Sequence, residues 1–359
     1  MSHDLSPKII TLVLAHYGVT ASHCQYSVLG NGLINSTYLV ECDDKCFVLQ
    51  HINQQVFPKP LEVINNADLI SQHLTTKHQQ QRYPLMPVTQ LRTQTQDNHV
   101  KVQGQFWRAL PYLGQSYSLE TMTTLQQAAD TANAFAQFSA ALSDFNSADL
   151  APVIPQFHDL ALRLKQLKHA ITNTSACLQQ QAQGLIHFIG TQQSFIDSIT
   201  AIMPTLPQRV CHNDTKINNL LFSKHSHKPM AVIDLDTCMA GYLMHDFGDM
   251  VRSCCPSIAE DSANLAEMAI DWPQFNTLAQ AYIAGLNGIL SEQERTSLAI
   301  GVKLMPFMLG IRFLTDFLAG NRYFKIDYPE HNLVRAKNQL HLYQLFCQQQ
   351  ALLSNIYSA

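Results

Sequence analysis

The sequence is poor in charged residues and lacks the short patterns that mark common metal and redox sites. Asp, Glu, Lys and Arg make up only 14% of the 359 residues, and the formal net charge is −4. This balance gives no indication of a nucleic-acid or membrane partner. The nine cysteines form no C-x-x-C pair, and the sixteen histidines form no zinc-binding spacing. We therefore expect reduced thiols in a cytoplasmic protein.

A secretory leader pattern and a long uninterrupted apolar run are missing as well. The first residues do not have the layout of a signal peptide. The longest apolar stretch, residues 298–318, is interrupted by Lys303, Pro306, Arg312 and Asp316. We therefore expect a buried helix with a polar stripe rather than a membrane span. Arg312 and Asp316 are four residues apart, so they can pair on one helical face.

The sequence does contain a pattern that is typical of phosphoryl transfer. Residues 212–219 are H-N-D-T-K-I-N-N, and an apolar run leads from there to I-D-L-D, which ends the predicted hairpin. In such a site one carboxylate, here Asp214, orients the acceptor hydroxyl and takes its proton. Asn219 and Asp234 are predicted to bind Mg²⁺ on the nucleotide phosphates.

Local periodicity explains how these residues would come together. Residues 220–222 and 230–233 are predicted to form two short strands joined by a polar turn. The second strand would return Asp234 to the loop that carries Asp214. Asp236, two residues further on, is interpreted as a second metal ligand or as a residue that supports the first.

A second acidic triplet, Asp246-Phe247-Gly248, has the sequence of the metal-binding triplet of protein kinases. Asp234 already occupies the strand end that a metal ligand needs. We therefore predict that Asp246 and Asp249 open a helix and brace the catalytic loop.

The length and the periodicity indicate two lobes. Residues 17–113 alternate in a way that predicts strands, with one helix at 60–78, whereas the chain is mainly helical from residue 118 onward. The fold class is therefore α+β: a bilobal, protein-kinase-like fold with a small antiparallel sheet in an N-terminal lobe, 1–113, and a larger helical lobe, 114–359. Nucleotide is expected in the cleft between the lobes. The other predicted helices are 7–16, 119–145, 157–182, 185–202, 242–253, 273–289, 291–319 and 333–354.

Candidate nucleotide contacts lie in the first lobe. Gly30, Asn31 and Gly32 stand between two predicted strands, where glycines let a backbone loop approach phosphates. An Asn-Gly hairpin turn would have the same pattern. The segment 107–113, with Leu110 and Tyr112, has the character of a hinge whose backbone groups would pair with adenine.

One residue departs from the expected phosphate site. The strand 46–50 should end in a lysine or arginine that reaches the phosphates, but it ends in Gln50. Either Gln50 contacts the nucleotide weakly, or another cation serves. Lys216, inside the catalytic loop, and Arg252 are the candidates.

With these residues in view, the chain resembles the aminoglycoside phosphotransferase and choline kinase superfamily, and within it the kinases of N-acetylhexosamines. Two of the matching segments, HNDTKINN and YPEHNLVR, are not general to the superfamily. The resemblance is carried by residues 32–40 (GLINSTYLV), 47–57 (FVLQHINQQVF), 212–219 (HNDTKINN), 233–237 (IDLDT), 246–249 (DFGD), 312–314 (RFL) and 328–335 (YPEHNLVR).

The resemblance implies transfer of phosphate from ATP, with Mg²⁺, to the anomeric hydroxyl of N-acetylglucosamine or N-acetylgalactosamine. It implies that Asp214 is the catalytic base and that Asn219 and Asp234 are metal ligands. It also implies that Arg312 and Tyr323 contact the sugar. A small-molecule sugar and ATP are the expected partners, and no obligate protein partner is inferred.

Two further positions bear on this resemblance. The absence of a phosphate-binding lysine is shared by the same subfamily, so Gln50 is compatible with activity. Leu33 replaces the polar residue that the resemblance predicts. The residues themselves leave two alternatives open: a kinase of another hydroxyl (a hexose, an amino alcohol or an aminoglycoside), or a non-catalytic protein that binds nucleotide or sugar.

Overall fold

The computed structural model describes residues 7–30, 34–286 and 288–354, which divide into two compact units. The sheet unit takes in the described residues up to Ser118 and two later segments, Asp144–Ile154 and Leu220–Met239. The helical unit takes in the remaining described residues, Leu119–Ser143, Pro155–Asn219 and those from Ala240 on.

The described residues contain ten strands and eleven α-helices. The strands are β1 (Cys24–Val28), β2 (Ser36–Cys42), β3 (Cys46–His51), β4 (Val100–Val102), β5 (Gln105–Pro111), β6 (Ser116–Tyr117), β7 (Arg209–Cys211), β8 (Leu220–Ser223), β9 (Pro229–Val232) and β10 (Met239–Gly241). The helices are α1 (Pro7–His16), α2 (Pro60–Gln79), α3 (Leu125–Ala141), α4 (Leu160–Asn173), α5 (Ala176–Gly190), α6 (Gln193–Ile202), α7 (Leu243–Cys254), α8 (Trp272–Gly285), α9 (Glu292–Leu318), α10 (His331–Gln348) and α11 (Gln350–Ser354).

The sheet unit is built on five antiparallel strands in the order β1-β2-β3-β5-β4. Successive side chains of a strand point to opposite faces, so Val40, Phe47 and Leu49 are buried on one face. Helix α1 adds Ile10 and Val13 to the same core. The predicted antiparallel sheet and the α+β class are confirmed.

The hairpin predicted after the catalytic loop is also present in the sheet unit. Strands β8 and β9 are antiparallel, with Leu220 opposite Val232, and β6 adds a third strand beside β8. The main chain of Asp234 follows β9 directly. The residues of the predicted metal turn therefore belong to the sheet unit, although they lie far along the chain.

Two of the nine cysteines differ from the sequence expectation. The antiparallel register places Cys24 opposite Cys42, and the two form a disulfide between β1 and β2. The expectation of reduced thiols throughout is therefore wrong for this pair. The pairing of the strands, which the sequence does not give directly, is what brings the two sulfur atoms together.

Helix boundaries in the helical unit follow capping residues. A single helix over 157–182 is contradicted, because α4 ends at Asn173 and α5 begins at Ala176. The Ser175 hydroxyl caps α5 by accepting a hydrogen bond from Leu178 N at 3.3 Å. The predicted helix 185–202 is likewise divided between α5 and α6.

Helix α9 forms the centre of the helical unit. It begins with a capping box between Ser291 and Glu294. Among the described residues it alone is long and apolar enough to cross a membrane, but 72% of its most apolar window is buried. That is the pattern of a core helix. Its Gly301 packs so closely on α7 that an added Cβ would lie 2.0 Å from Met244 O.

Candidate active site

The catalytic loop follows β7 and is held in place by α7. The two oxygens of Asp246 accept hydrogen bonds from the backbone amides of His212, at 2.8 Å, and Asn213, at 2.7 Å. The Thr215 hydroxyl donates to the carbonyl oxygen of Asp246. Asn213 adopts a left-handed φ of 62°, which asparagine tolerates better than most residues. The predicted bracing role of Asp246 is confirmed.

Burial affects the bracing carboxyl itself. Desolvation raises the pKa of Asp246 to about 7. The hydrogen bonds from the two backbone amides stabilise the ionised carboxylate and so oppose this rise. Asp249, one turn further along α7, forms a buried ion pair with Arg252, whose other partner is Glu260. Arg252 is thus engaged by two carboxylates, which argues against its being the missing phosphate cation.

Asp214 is positioned by two neighbours on its own loop. The Asn219 side-chain amide donates to Asp214 Oδ2 at 2.9 Å and to its carbonyl oxygen at 2.8 Å. Lys216 Nζ lies 2.9 Å from Asp214 Oδ1. Burial alone would raise the pKa of the Asp214 carboxyl, but Lys216, His212 and the Asn219 amide together hold it below its usual value. The carboxylate is therefore ionised at neutral pH.

The predicted metal turn follows β9 in the sheet unit. Asp234 is exposed and has a left-handed backbone, with φ 61° and ψ 57°. The next three residues, Leu235–Thr237, form a buried 3₁₀ turn. Non-glycine residues in this conformation are uncommon, cost about 1–3 kcal/mol, and persist only where the surroundings impose it.

Asp236 does not present its carboxylate to a ligand site. Its Oδ1 forms an ion pair with Arg108, and its Oδ2 accepts a hydrogen bond from the Asn35 side chain. The side chains of Asp236 and Arg108 are each only 3% exposed. Of the two sequence interpretations of Asp236, this geometry supports the supporting role and not that of a second metal ligand.

Gln50 is part of the same network. Its amide group donates to the Thr37 hydroxyl at 3.1 Å, and its carbonyl oxygen accepts from Arg108 Nε at 2.9 Å. Arg108 is a residue that the sequence reasoning missed. A single arginine within the apolar run of β5 was the available signal, since a charge is rarely buried there without a specific partner.

Asp234 in the sheet unit has a carboxylate, and Asn219 in the helical unit has an amide oxygen; each is an oxygen donor of the kind that Mg²⁺ prefers. The amide nitrogen of Asn219 donates to Asp214. The side-chain oxygen Oδ1 of Asn219 has no hydrogen-bond donor among the described residues. The described part of the chain has no cluster of three or more His, Cys, Asp or Glu side chains that could hold an ion by itself. Mg²⁺ bound on a nucleotide needs only one or two such side chains, because phosphate oxygens and water supply the rest.

The other nucleotide candidates have mixed outcomes. Gly30 has a φ of 71°, which favours glycine, while Asn31 and Gly32 lie outside the described residues. Leu110 pairs with Val48 across β5 and β3. Tyr112 follows the end of β5 and is 36% exposed. Their contacts with adenine stay a prediction.

Arg312, the predicted sugar contact on α9, is surrounded by aromatic rings. Its guanidinium carbon lies 5.0 Å from the ring centre of Phe157, 5.7 Å from that of Tyr323 and 5.4 Å from that of Phe324. No carboxylate of the described residues lies in ion-pair range of this guanidinium, and burial lowers the pKa of Arg312. We call Arg312 and these three aromatic residues the aromatic cluster.

The suggested pairing of Arg312 with Asp316 is wrong. The Asp316 carboxylate accepts hydrogen bonds from the backbone amides of residues 322, 323 and 324, at 2.8–2.9 Å. It also accepts one from the Asn332 side chain. Asp316 therefore shapes the loop that carries Tyr323, whose ring is 60% exposed.

Two histidines with buried ring nitrogens adjoin the aromatic cluster. The rings of His158 and His245 lie 4.7 Å apart, and neither has a hydrogen-bond partner on its ring nitrogens among the described residues. Burial lowers the pKa of His245 to about 4. Burial, His245 and Arg312 lower the pKa of His158. Both imidazoles are therefore neutral at pH 7.

The fold and the braced catalytic loop define a kinase-like phosphotransferase. The sequence profile described as the phosphotransferase enzyme family matches residues 25–278. The chain belongs to this family. It is accordingly a phosphotransferase.

Several solved structures share this fold. An aminoglycoside phosphotransferase from Alicyclobacillus acidocaldarius is similar with 13% identity and a TM-score of 0.67, covering 99% of both chains. A microcompartment-associated aminopropanol kinase has 18% identity and a TM-score of 0.62, covering 96% of this chain and 97% of its own. A spectinomycin phosphotransferase, solved with ADP and spectinomycin, has 10% identity and a TM-score of 0.55, covering 96% of this chain and 98% of its own. These identities establish the fold alone.

Proposed function

We propose that the protein is a kinase that transfers the γ-phosphate of ATP to the anomeric hydroxyl of an N-acetylhexosamine, such as N-acetylglucosamine or N-acetylgalactosamine. The family supplies phosphoryl transfer to a small-molecule hydroxyl. The sequence segments HNDTKINN and YPEHNLVR support the hexosamine as acceptor. A cytoplasmic location and a role in amino-sugar salvage belong to the same proposal.

The composition of the aromatic cluster is the observation that carries the choice of acceptor. Aminoglycosides, choline and amino alcohols are cations, and the sites that bind them offer carboxylates or the open faces of aromatic rings. Here the three rings already face the Arg312 guanidinium. No carboxylate of the described residues lies in ion-pair range of it, although the charge of Glu260 acts on it, and Arg163 and two uncharged imidazoles lie near it. This electrostatic setting disfavours an ammonium ligand. It suits a neutral sugar, whose ring packs on aromatic faces and whose amide and hydroxyl oxygens accept hydrogen bonds from arginine.

The residues of the catalytic loop have defined tasks in this proposal. Asp214 orients the acceptor hydroxyl and receives its proton. An anomeric hydroxyl is more acidic than an ordinary alcohol, so orientation is the larger task. Lys216 keeps Asp214 ionised and adds positive charge beside it. Asn219 and Asp234 are proposed to hold Mg²⁺, which when bound neutralises charge on the phosphates.

A substrate panel tests the proposal. N-acetylglucosamine, N-acetylgalactosamine, glucose, galactose, ethanolamine, choline and an aminoglycoside are each incubated with Mg·ATP, and the products are identified by ³¹P NMR. We expect a sugar 1-phosphate from the N-acetylhexosamines and no product from the amines. Efficient phosphorylation of an amine, or of another hexose in preference to both N-acetylhexosamines, would contradict the proposed acceptor.

Asp214→Asn is the matched variant for catalysis. It keeps the shape of the side chain and removes the base, and we expect a loss of about 10²–10⁴-fold in kcat. If the wild-type protein binds ATP yet neither protein transfers phosphate to any acceptor, the enzyme proposal fails and a binding role replaces it.

A further inference from the structure

We propose that Arg108, the partner of Gln50 on the neighbouring strand, is a positioning residue for the metal turn and not a phosphate contact. A lysine at the Gln50 position would extend from β3 to the phosphates. The arginine instead comes from the neighbouring strand β5, stays buried, and acts through Asp236 on the turn that presents Asp234. The inference rests on the proposed ATP-dependent phosphoryl transfer, but not on the identity of the acceptor.

The strand register brings the two positions together. Gln50 lies directly opposite Arg108 in the antiparallel pair of β3 and β5. Side chains at opposing positions of such a pair are close neighbours on one face. Gln50 accepts from Arg108 Nε, so glutamine at this position serves as a neutral partner that orients the guanidinium. A lysine here would place two like charges side by side.

The guanidinium then fixes Asp236. Both side chains are 3% exposed, so neither charge is compensated by water. Removing one partner of a buried ion pair leaves the other charge uncompensated and is strongly unfavourable. The side chain of Asn35 donates to the second oxygen of the carboxylate, and its own oxygen accepts from Asn53 N at 2.9 Å. Asp236 is thus held from two directions.

The fixed Asp236 helps to impose the backbone conformation of Asp234, two residues earlier. The left-handed backbone of Asp234 persists only where the surrounding structure imposes it. Beyond the turn, the carbonyl oxygen of Cys238 accepts a hydrogen bond from Asn66 of α2 at 3.0 Å. The buried 3₁₀ turn from Leu235 to Thr237 is therefore anchored at Asp236 and just after its end. Removing a residue that orients a metal ligand commonly weakens metal binding about 10–100-fold.

Arg108→Gln is the primary test, and Mg²⁺-dependent nucleotide binding is its readout. A fluorescent ATP analogue is titrated against the full-length protein at a series of Mg²⁺ concentrations, without an acceptor. We expect Arg108→Gln and Asp236→Asn each to raise the Mg²⁺ concentration at half-saturation about 10–100-fold. Binding measured without Mg²⁺ should change much less. Arg108→Lys keeps the charge but cannot contact Gln50 and Asp236 with a planar fork, so an intermediate shift is expected.

Arg92→Gln is the matched control. It breaks an ion pair with Asp68 in the same unit, with both carboxylate oxygens 2.9 Å from Arg92 Nη2. We expect it to lower thermal stability without changing the Mg²⁺ dependence. If Arg108→Gln fails to fold, Arg108→Lys and Asn35→Ala carry the same test.

The outcomes separate this inference from the proposed function. An Arg108 variant that weakens binding equally with and without Mg²⁺, or that leaves the Mg²⁺ dependence unchanged, overturns the positioning role. Wild-type protein that binds Mg·ATP in the expected way but phosphorylates no hexosamine overturns the proposed acceptor and leaves this inference intact.

Discussion

At the scale of single residues, the sequence motif identified the side chains of the catalytic loop but not the partners that set their chemistry. Asp214 and Asn219 could be predicted because their spacing along a short loop is characteristic, and Asp246 because it stands in a separate acidic triplet at the start of a predicted helix. Arg108 could not, since its importance depends on a strand pairing between positions 58 residues apart. Its partner Asp236 was visible in the sequence but its role was ambiguous for the same reason.

The ion pair between Lys216 and Asp214 leads to a pH prediction. Lys216 is the strongest influence that lowers the pKa of Asp214 against the effect of burial. In Lys216→Met that influence is lost, so the pKa of Asp214 rises and the base becomes protonated at a higher pH. We expect the acidic limb of the profile of kcat/KM against pH to move upward. Lys224→Met, at an exposed lysine whose Nζ donates to Gly114 O, should leave the acidic limb in place. An unchanged acidic limb in Lys216→Met would contradict this account of Asp214.

Arg312 is predicted to act on the sugar and not on the nucleotide. Loss of a charge-assisted hydrogen bond costs about 1.5–3 kcal/mol, or roughly 10–100-fold. We expect Arg312→Met to raise KM for the hexosamine by that factor and to leave KM for ATP nearly unchanged. Lys303→Met removes another cation that contacts an aromatic ring, with Nζ 5.5 Å from the Phe195 ring centre. Lys303→Met should affect neither constant, and an equal rise in both constants for Arg312→Met would contradict a sugar contact.

At the scale of secondary-structure elements, periodicity located most helices and strands, whereas breaks in helices were harder to predict. Strand β3 and helices α2, α7 and α9 lie close to their predicted positions. The division between α4 and α5 was missed, because Thr174 and Ser175 are short polar residues that are compatible with a helix. The capping hydrogen bond of Ser175 decides the boundary, and it is not visible as a periodic pattern.

The close approach of α7 and α9 makes a stability prediction at the same scale. A Cβ at Gly301 would lie 2.0 Å from Met244 O, so the two helices must separate to accommodate alanine. We expect Gly301→Ala to lower the free energy of unfolding by about 1–3 kcal/mol or more. Gly184→Ala, on an open face of α5, is the control and should raise it by about 0.5–1 kcal/mol. Equal denaturation midpoints for the two variants would show that the helices are not in contact at Gly301.

At the scale of the whole molecule, the buried histidine pair predicts sensitivity to acid. The pKa of His245 is lowered by burial to about 4, so the unfolded chain binds a proton at this residue before the folded one does. The contribution of His245 to stability is therefore lost as pH falls from about 6.5 to 4, by up to about 3 kcal/mol, while the raised pKa of Asp246 acts in the opposite direction. Denaturant unfolding at pH 7 and pH 5 isolates the histidine contribution as a difference: the stability change from pH 7 to pH 5 should be less unfavourable in His245→Leu than in the wild type. His187→Asn, at an exposed position of α5, controls for the removal of a histidine. A variant that loses as much stability as the wild type would contradict the prediction.

The division of the chain into units was only partly accessible from composition. A change from strand-rich to helical sequence near residue 113 is visible in the pattern of apolar residues. The return of residues 220–239 to the sheet unit depends on the pairing of β8 with β6, which involves residues more than one hundred positions apart. Local sequence patterns carry no information on such a contact.

The discontinuous sheet unit has a consequence for the order in which the protein can fold during synthesis. Domains that are continuous in sequence can fold as soon as they leave the ribosome. Here the N-terminal sheet emerges first, yet Asp236, the buried partner of Arg108, is translated 128 residues after it. Until then a charged guanidinium has no counter-ion in an otherwise apolar strand. We therefore expect the nascent sheet to stay incompletely folded until the chain has been translated through Asp236, which lies beyond the catalytic loop.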